Sequence, residues 1–270
     1  MNKISSSELA PVSDQISGAA RAVSTAVAIV LPAYNEQERI AATLETVWRF
    51  FAERRIAAEI IVADDGSTDN TLEIANAFAA SHRNITVLAL PHGGKAKAVL
   101  AGLARSNSPI AGFTDVDLAA PLDTWDRCAD AFRSGFDVAI ASREGSDAAR
   151  IGEPAYRHVM GRVFNGMVRF LLLPGIHDTQ CGFKFFTREA LDEILPHCRL
   201  YTEHDVTSRP RVTAFDVELL YIARRRGLKT AVVPVTWIYG ESSKVNPITD
   251  TFQNFRDVLM VRWNGWRGRY

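Results

Sequence analysis

Four short apolar runs, each closed by a polar turn and followed by a helix-like stretch, constrain this chain more than any other feature. The first is Val27 to Leu31, closed by Pro32, with Ala33, Tyr34, Asn35 and Glu36 behind it. Ile40, Leu44, Val47, Trp48 and Phe51 then fall at helical spacing, which predicts an amphipathic helix. Ile60 to Ala63 is the second run and ends in Asp64-Asp65-Gly66-Ser67-Thr68-Asp69. Ser67, Thr68 and Asp69 are N-cap types for a helix carrying Leu72, Ala75 and Ala79. Ile85 to Leu90 is the third, followed by the glycine-rich turn Pro91-His92-Gly93-Gly94-Lys95 and a helix from Lys95 to Ser106. The fourth, from Ile110, ends in Asp115-Val116-Asp117 before Pro121 stops it. Alternation with short connections predicts an α/β fold, a mostly parallel sheet with helices on both faces. One more strand is expected at Asp137 to Ser142. All four loops then share the rim at the strands' carboxyl ends, where open α/β sheets bind ligands. Two carboxylates one residue apart on that rim can hold a hard divalent cation, and the cation a diphosphate; in isolation the same pair is a solvated turn.

Composition narrows the partners. Lysine plus arginine equals aspartate plus glutamate at 31 each, so no global field recruits nucleic acid, and any preference for an anion or a membrane must come from local clusters. Cys128, Cys181 and Cys198 are widely spaced and odd in number, which fits reduced thiols in a cytoplasmic setting, and no metal motif emerges from them. Residues 1–26 are polar without the apolar segment of a signal peptide, and are expected to be a disordered leader. No run of apolar residues reaches transmembrane length, so a meeting with a membrane would be peripheral.

Beyond Arg143 the pattern loosens. Ala155 to Leu172 is expected as a helix with Val159, Val163, Met167 and Phe170 on one side and Arg157, Arg162 and Arg169 decorating it. It suits either a bilayer surface or a core with a solvated face. Asp178 to Phe186 sets a glycine and a lysine among aromatics. Thr213 is a cap type for a helix holding Phe215 to Leu220, Gly227 can end it, and Thr230 to Trp237 is expected as a final strand. From Phe252 to Tyr270 aromatics interleave with arginines, forming either an interfacial anchor or a packing helix.

With Leu31-Pro32-Ala33-Tyr34-Asn35-Glu36, Asp64 to Asp69 and Asp115-Val116-Asp117, the chain resembles glycosyltransferase family 2. Asp178-Thr179-Gln180-Cys181-Gly182-Phe183-Lys184-Phe185-Phe186, Phe215 to Leu220 and Ser243-Lys244 look like its dolichyl-phosphate (polyprenyl-phosphate) β-glucosyltransferase branch. The resemblance spans residues 27 to about 245. It implies a glycosyltransferase-A type, Rossmann-like fold with acceptor-side helices toward the C-terminus. Residues 27–250 would be a single domain with a nucleotide-sugar half at 27–143 and an acceptor half at 144–250, and 251–270 an amphipathic C-terminal segment. It also implies inverting, metal-dependent transfer of glucose from UDP-glucose to a polyprenyl or dolichyl phosphate at the cytosolic face of a membrane. Another donor such as GDP-mannose, a soluble hydroxyl acceptor, and a non-catalytic nucleotide-sugar binder are the alternatives.

Residue by residue, the resemblance points to Asp117 as the direct ligand of Mg²⁺ or Mn²⁺, with Asp115 reaching the metal or the ribose and Val116 between them. Pro32, Ala33, Tyr34 and Glu36 would line the base pocket, Asp64 and Asp65 would accept hydrogen bonds from base or ribose, and Lys95 would meet base or diphosphate. A phosphate acceptor is already anionic, its second pKa being about 6, so its site needs cations more than a base. Arg143, Arg157, Lys184 and Lys244 are the candidates. A hydroxyl acceptor would need a carboxylate base instead, for which Asp216 is the candidate. Two departures stand out: Gly94-Lys95-Ala96 where the family has Gly-Lys-Gly, which restricts the backbone, and a long polar stretch from Tyr201 to Arg211, expected as a lid.

Overall fold

The computed structural model describes residues 27–201, 214–239 and 247–270; the leader, the body of the expected lid, Thr213 and Lys244 lie outside them. The strand–helix series is present as β1 (Val27–Ala33), α1 (Ile40–Glu53), β2 (Ala58–Asp64), α2 (Thr71–Ser81), β3 (Ile85–Ala89), α3 (Lys95–Arg105) and β4 (Ile110–Thr114). It continues through α4 (Thr124–Arg133), β5 (Val138–Ser142), β6 (Ala149–Ile151), α5 (Ala155–Leu171), β7 (Phe183–Thr187) and α6 (Arg188–Ile194). The described chain ends with α7 (Phe215–Arg225), β8 (Thr230–Pro234), β9 (Thr236–Ile238) and α8 (Pro247–Trp266).

Seven strands form one sheet in the order β3-β2-β1-β4-β7-β5-β8, and β6 with β9 makes a small second sheet. The first four strands are mutually parallel, as are β5 and β8, whereas β7 runs antiparallel between β4 and β5. Side chains alternate across a strand, so β1 feeds two cores. Ala28 and Val30 pack on one face with Val99 and Leu103 of α3 and Val217 of α7. Ile29 and Leu31 pack on the other with Leu44 and Val47 of α1 and Trp125 of α4. Each fully buried Ile or Leu contributes on the order of 1.5–3 kcal/mol, and only strands buried on both faces can be this uniformly apolar.

Two segments depart from the expectation. Residues 183–187, read above only as aromatics around a lysine, form the interior strand β7, with Phe183 and Phe185 in one core and Phe186 in the other. The expected strand from Thr230 to Trp237 breaks at Val235: β8 pairs with β5 as far as Pro234, the Val235 amide donates to Ser142, and β9 pairs with β6. The three cysteines are unbridged and buried, and burial pushes the Cys128 and Cys181 thiols up to about 12.

Candidate active site

The ends of β1 and β2 are in register, Ala33 opposite Asp64, and the Asp65 amide donates to Ala33 O at 2.8 Å. Their loops are laced together. Asn35 N donates to Ser67 Oγ at 3.0 Å, Thr68 N to Asn35 Oδ1 at 2.8 Å, and Glu36 N to Thr71 Oγ1 at 2.7 Å. Asp69 accepts from Thr71 N at 3.0 Å and Gln37 N at 3.2 Å, so it caps the start of α2 from one position upstream of Asn70. Pro32 and Ala33 belong to β1 itself, and the Glu36 carboxylate pairs with Arg39 at 2.9 Å.

Asp65 is heavily engaged. Its carboxylate accepts the amides of Gly93 at 2.7 Å and Gly94 at 2.9 Å and faces His92 Nδ1 at 2.8 Å. Gly94 sits at φ 92°, a left-handed conformation that glycine adopts freely and that turns both amides toward the acid. His92, which carries no expectation above, stacks on Tyr34 with ring centroids 4.2 Å apart and planes 13° from parallel. Its Nε2 and Asp64 Oδ1 are buried without hydrogen-bond partners. The only sequence signal for His92 is its place in a glycine-rich turn at the end of a strand.

At the end of β4, Asp115 N donates to Gly182 O at 3.2 Å, and the Asp115 carboxylate pairs with Lys95 at the first position of α3. Gly182 leaves room there, because a Cβ on it would collide with that carboxylate unless the Asp115 side chain moved. Val116 turns into the core and its carbonyl accepts Thr43 Oγ1 at 2.7 Å, so it meets the rim through backbone alone. Asp117 is exposed, its Oδ1 accepting the Ala119 amide at 3.1 Å. Partial burial and repulsion from Asp115 raise the Asp117 pKa, against the Ala119 hydrogen bond and Lys95. Burial alone would lower Lys95, but Asp115, Asp216 and Asp117 outweigh it and hold that ammonium above its ordinary value.

No cluster of three or more metal-ligating side chains occurs among the described residues. Two carboxylates suffice for Mg²⁺ or Mn²⁺ when a substrate's phosphates and water complete the shell. A divalent cation would also offset the Asp115 charge that, after burial, raises Asp117, so the donor set fits.

Asp216 lies in the first turn of α7, buried, with its charge felt by Asp115 and Lys95. Burial raises its pKa despite Lys184 and Lys95. Lys184 Nζ stands 3.2 Å from Asp216 Oδ1, in ion-pair range but out of line for a hydrogen bond, leaving that oxygen with no donor. Lys184 also donates to Cys181 O at 2.5 Å and has no exposed surface, because its strand lies in mid-sheet. The expectation that it reaches an acceptor phosphate therefore yields to a role as Asp216's counter-ion. Arg143 is likewise committed: its Nε and Nη2 hold the buried Asp178 at 2.8 and 2.9 Å, and its backbone amide adds a third bond at 2.9 Å. Burial opposes this pair, yet Arg143 holds the Asp178 carboxyl well below the usual range, and Arg143 itself is raised. Arg157 is in the first turn of α5, with its side chain outside the description. Glu218 accepts the Arg199 and Leu200 amides at 2.9 and 3.0 Å and the Tyr270 hydroxyl at 2.6 Å.

Comparison with known proteins places the chain in a family and a fold. The Glycosyl transferase family 2 profile matches residues 28–195. A dolichyl-phosphate beta-glucosyltransferase of Dictyostelium discoideum is 30% identical over 251 residues, covering 88% of this chain and 74% of that protein. The Trichomonas vaginalis dolichyl-phosphate beta-glucosyltransferase ALG5C is 36% identical over 224 residues, covering 77% of this chain and 62% of that protein. Among solved structures, Mycobacterium tuberculosis glucosyl-3-phosphoglycerate synthase with Mn²⁺ and UDP-glucose superposes with a TM-score of 0.61 at 18% identity, over 88% of this chain and 78% of that one. At that identity the likeness is one of fold.

Proposed function

Because this chain belongs to glycosyltransferase family 2, we propose that it transfers glucose from UDP-glucose to a polyprenyl or dolichyl phosphate, inverting the anomeric centre, at the cytosolic face of a membrane. The observation that carries this reading is the Asp115–Asp117 pair at the end of β4, faced by Lys95 and close to Asp216. The acceptor is drawn from the relatives, which are dolichyl-phosphate beta-glucosyltransferases. The donor is drawn from the UDP-glucose held by a protein of the same fold.

Mg²⁺ or Mn²⁺, held by Asp115 and Asp117, would neutralise charge on the departing diphosphate. The chain's own groups do the rest. Lys95 adds a fixed positive charge beside that diphosphate, Tyr34 offers a ring to the base, and Asp64 Oδ1 is a buried acceptor awaiting a donor. A phosphate monoester attacks as the anion it already is, which leaves Arg157 and Lys244 as the cations to hold it. Attack from the face opposite the leaving group turns an α-linked donor into a β-linked product.

A second reading keeps the donor and substitutes a hydroxyl acceptor. The buried Asp216, with its proton affinity raised, has the environment of a general base. Incubation with labelled UDP-glucose, Mg²⁺ and a short polyprenyl phosphate separates the two. Label extracted into organic solvent supports the lipid acceptor, label confined to water-soluble product supports the hydroxyl, and binding without turnover removes both.

A further inference from the structure

Most of the large hydrophobic side chains that the described residues expose lie on two helices, α5 and α8, which pack against one another. Each buries one side, through Phe164 and Val168 on α5 and Val258 and Val261 on α8. Each is also apolar on the opposite side. On α5, Tyr156, Val159, Val163 and Phe170 recur at helical spacing, with Val163 70% and Phe170 88% exposed. On α8, Phe255, Leu259, Trp263 and Trp266 do the same, Trp266 at 72%. A monomer in water seldom leaves so continuous an apolar surface uncovered.

The exposed charges described on the two helices have one sign. Arg162 and Arg169 stand beside the α5 stripe, and Arg256, Arg262 and Arg267 beside that of α8, all exposed. Helix α5 contains no acidic residue; of the two on α8, Asp257 turns inward to Tyr201 and the Ala214 amide, and the Asp250 side chain lies outside the described residues. A chain of zero net charge has thus set, among the described side chains of these two helices, only arginines beside the exposed apolar face. Arg267 lies 4.7 Å over the Trp263 ring, which is 5.3 Å from Trp266, an arrangement suited to the headgroup level of a bilayer. Self-association fits less well, since a two-fold pairing would set the arginine rim against itself.

We propose that α5 and α8 form one composite docking face for a membrane surface rich in anionic lipid. This rests on the lipid-phosphate acceptor reading and specifies where the protein meets the bilayer that carries its acceptor. Neither helix needs to enter the membrane: among the described residues no helix is long and apolar enough to cross one.

The test is sedimentation of the full chain with phosphatidylcholine vesicles, with and without added phosphatidylglycerol. Binding should require the anionic lipid. It should weaken at least about tenfold when Phe170 and Trp266 are changed to Ser, and again when Arg162 and Arg262 are changed to Glu. These side chains are exposed, so circular dichroism and thermal melting should be unchanged. Failure to bind anionic vesicles, binding indifferent to either pair of substitutions, or a dimer in sedimentation velocity that the substitutions dissolve would each overturn the docking face. Transfer to detergent-solubilised polyprenyl phosphate needs no bilayer and separates the two readings. If transfer persists in a chain that never binds vesicles, docking alone falls; vesicle binding with the expected losses but no transfer supports docking and removes the acceptor reading.

Discussion

The ammonium of Lys184 lies 3.2 Å from Oδ1 of Asp216, with the lysine wholly and the aspartate almost wholly out of solvent. Neither charge is tolerable there without the other. Replacing Lys184 by Met keeps the bulk of the strand but strands a buried carboxylate, and should cost about 3–5 kcal/mol of stability. Adding Asp216→Leu should recover a large part of that loss. Urea unfolding of the single and double variants measures the coupling, and independent, additive effects would separate the two residues.

Glu218 offers a second reading of burial against charge. Burial pushes its carboxyl up to about 6 from an ordinary 4.5, against hydrogen bonds from Tyr270, Arg199 and Leu200. Between those values the folded chain keeps a proton that the unfolded chain has lost. The group's contribution is therefore complete below pH 4.5 and disappears as pH rises through about 6. It amounts to roughly 2 kcal/mol. Asp216 and Asp257 are raised too and act with the same sign, so the measurement is a difference. Denaturant midpoints across this range should fall less steeply in Glu218→Gln than in the parent, and equal slopes would assign the dependence elsewhere.

The strand–helix series was legible because β1, β2 and β4 are buried on both faces and so read as unbroken apolar runs. Strand β7 hid for the opposite reason. Its lysine interrupts the apolar pattern, and only the long-range partner Asp216 explains how a charge sits in mid-sheet. The rim acids were visible as motifs, but how far each is already engaged was not. Asp65 and Asp115 look alike in sequence, yet one is held by backbone amides from the Gly93 turn and the other by Lys95. Arg143 shows the same limit: an arginine in a loop announces a cation, while the Asp178 that claims it lies on another segment.

Gly182 links that hidden strand to the site. A Cβ at this position would run into the Asp115 carboxylate, so Gly182→Ala should shift Asp115 while leaving the sheet paired on either side. If Asp115 holds the metal as proposed, displacing it by around an ångström should cost up to about 10²-fold in turnover. The expected result is a weaker response to Mn²⁺ and UDP-glucose with a near-parental melting temperature. Parental kinetics would show that Asp115 is free to move without consequence.

Asp117 carries the sharpest expectation, because its raised pKa falls on the proposed metal-ligand position. A metal binds the carboxylate, not the acid, so protons compete with it. A carboxyl raised by burial and by Asp115 takes up its proton at higher pH than a solvated aspartate, and Mn²⁺ affinity should begin to fall correspondingly early on acidification. Asp117→Asn should remove that step from the pH profile and reduce metal-dependent transfer by about 10²-fold or more, the scale on which a stabiliser of departing charge acts. The asparagine retains an oxygen for the Ala119 amide, so the turn and the fold should persist. Calorimetric titration of Mn²⁺ across pH, run beside transfer assays on both proteins, tests the pair of claims. Undiminished metal binding in Asp117→Asn would move the ligand role away from this residue.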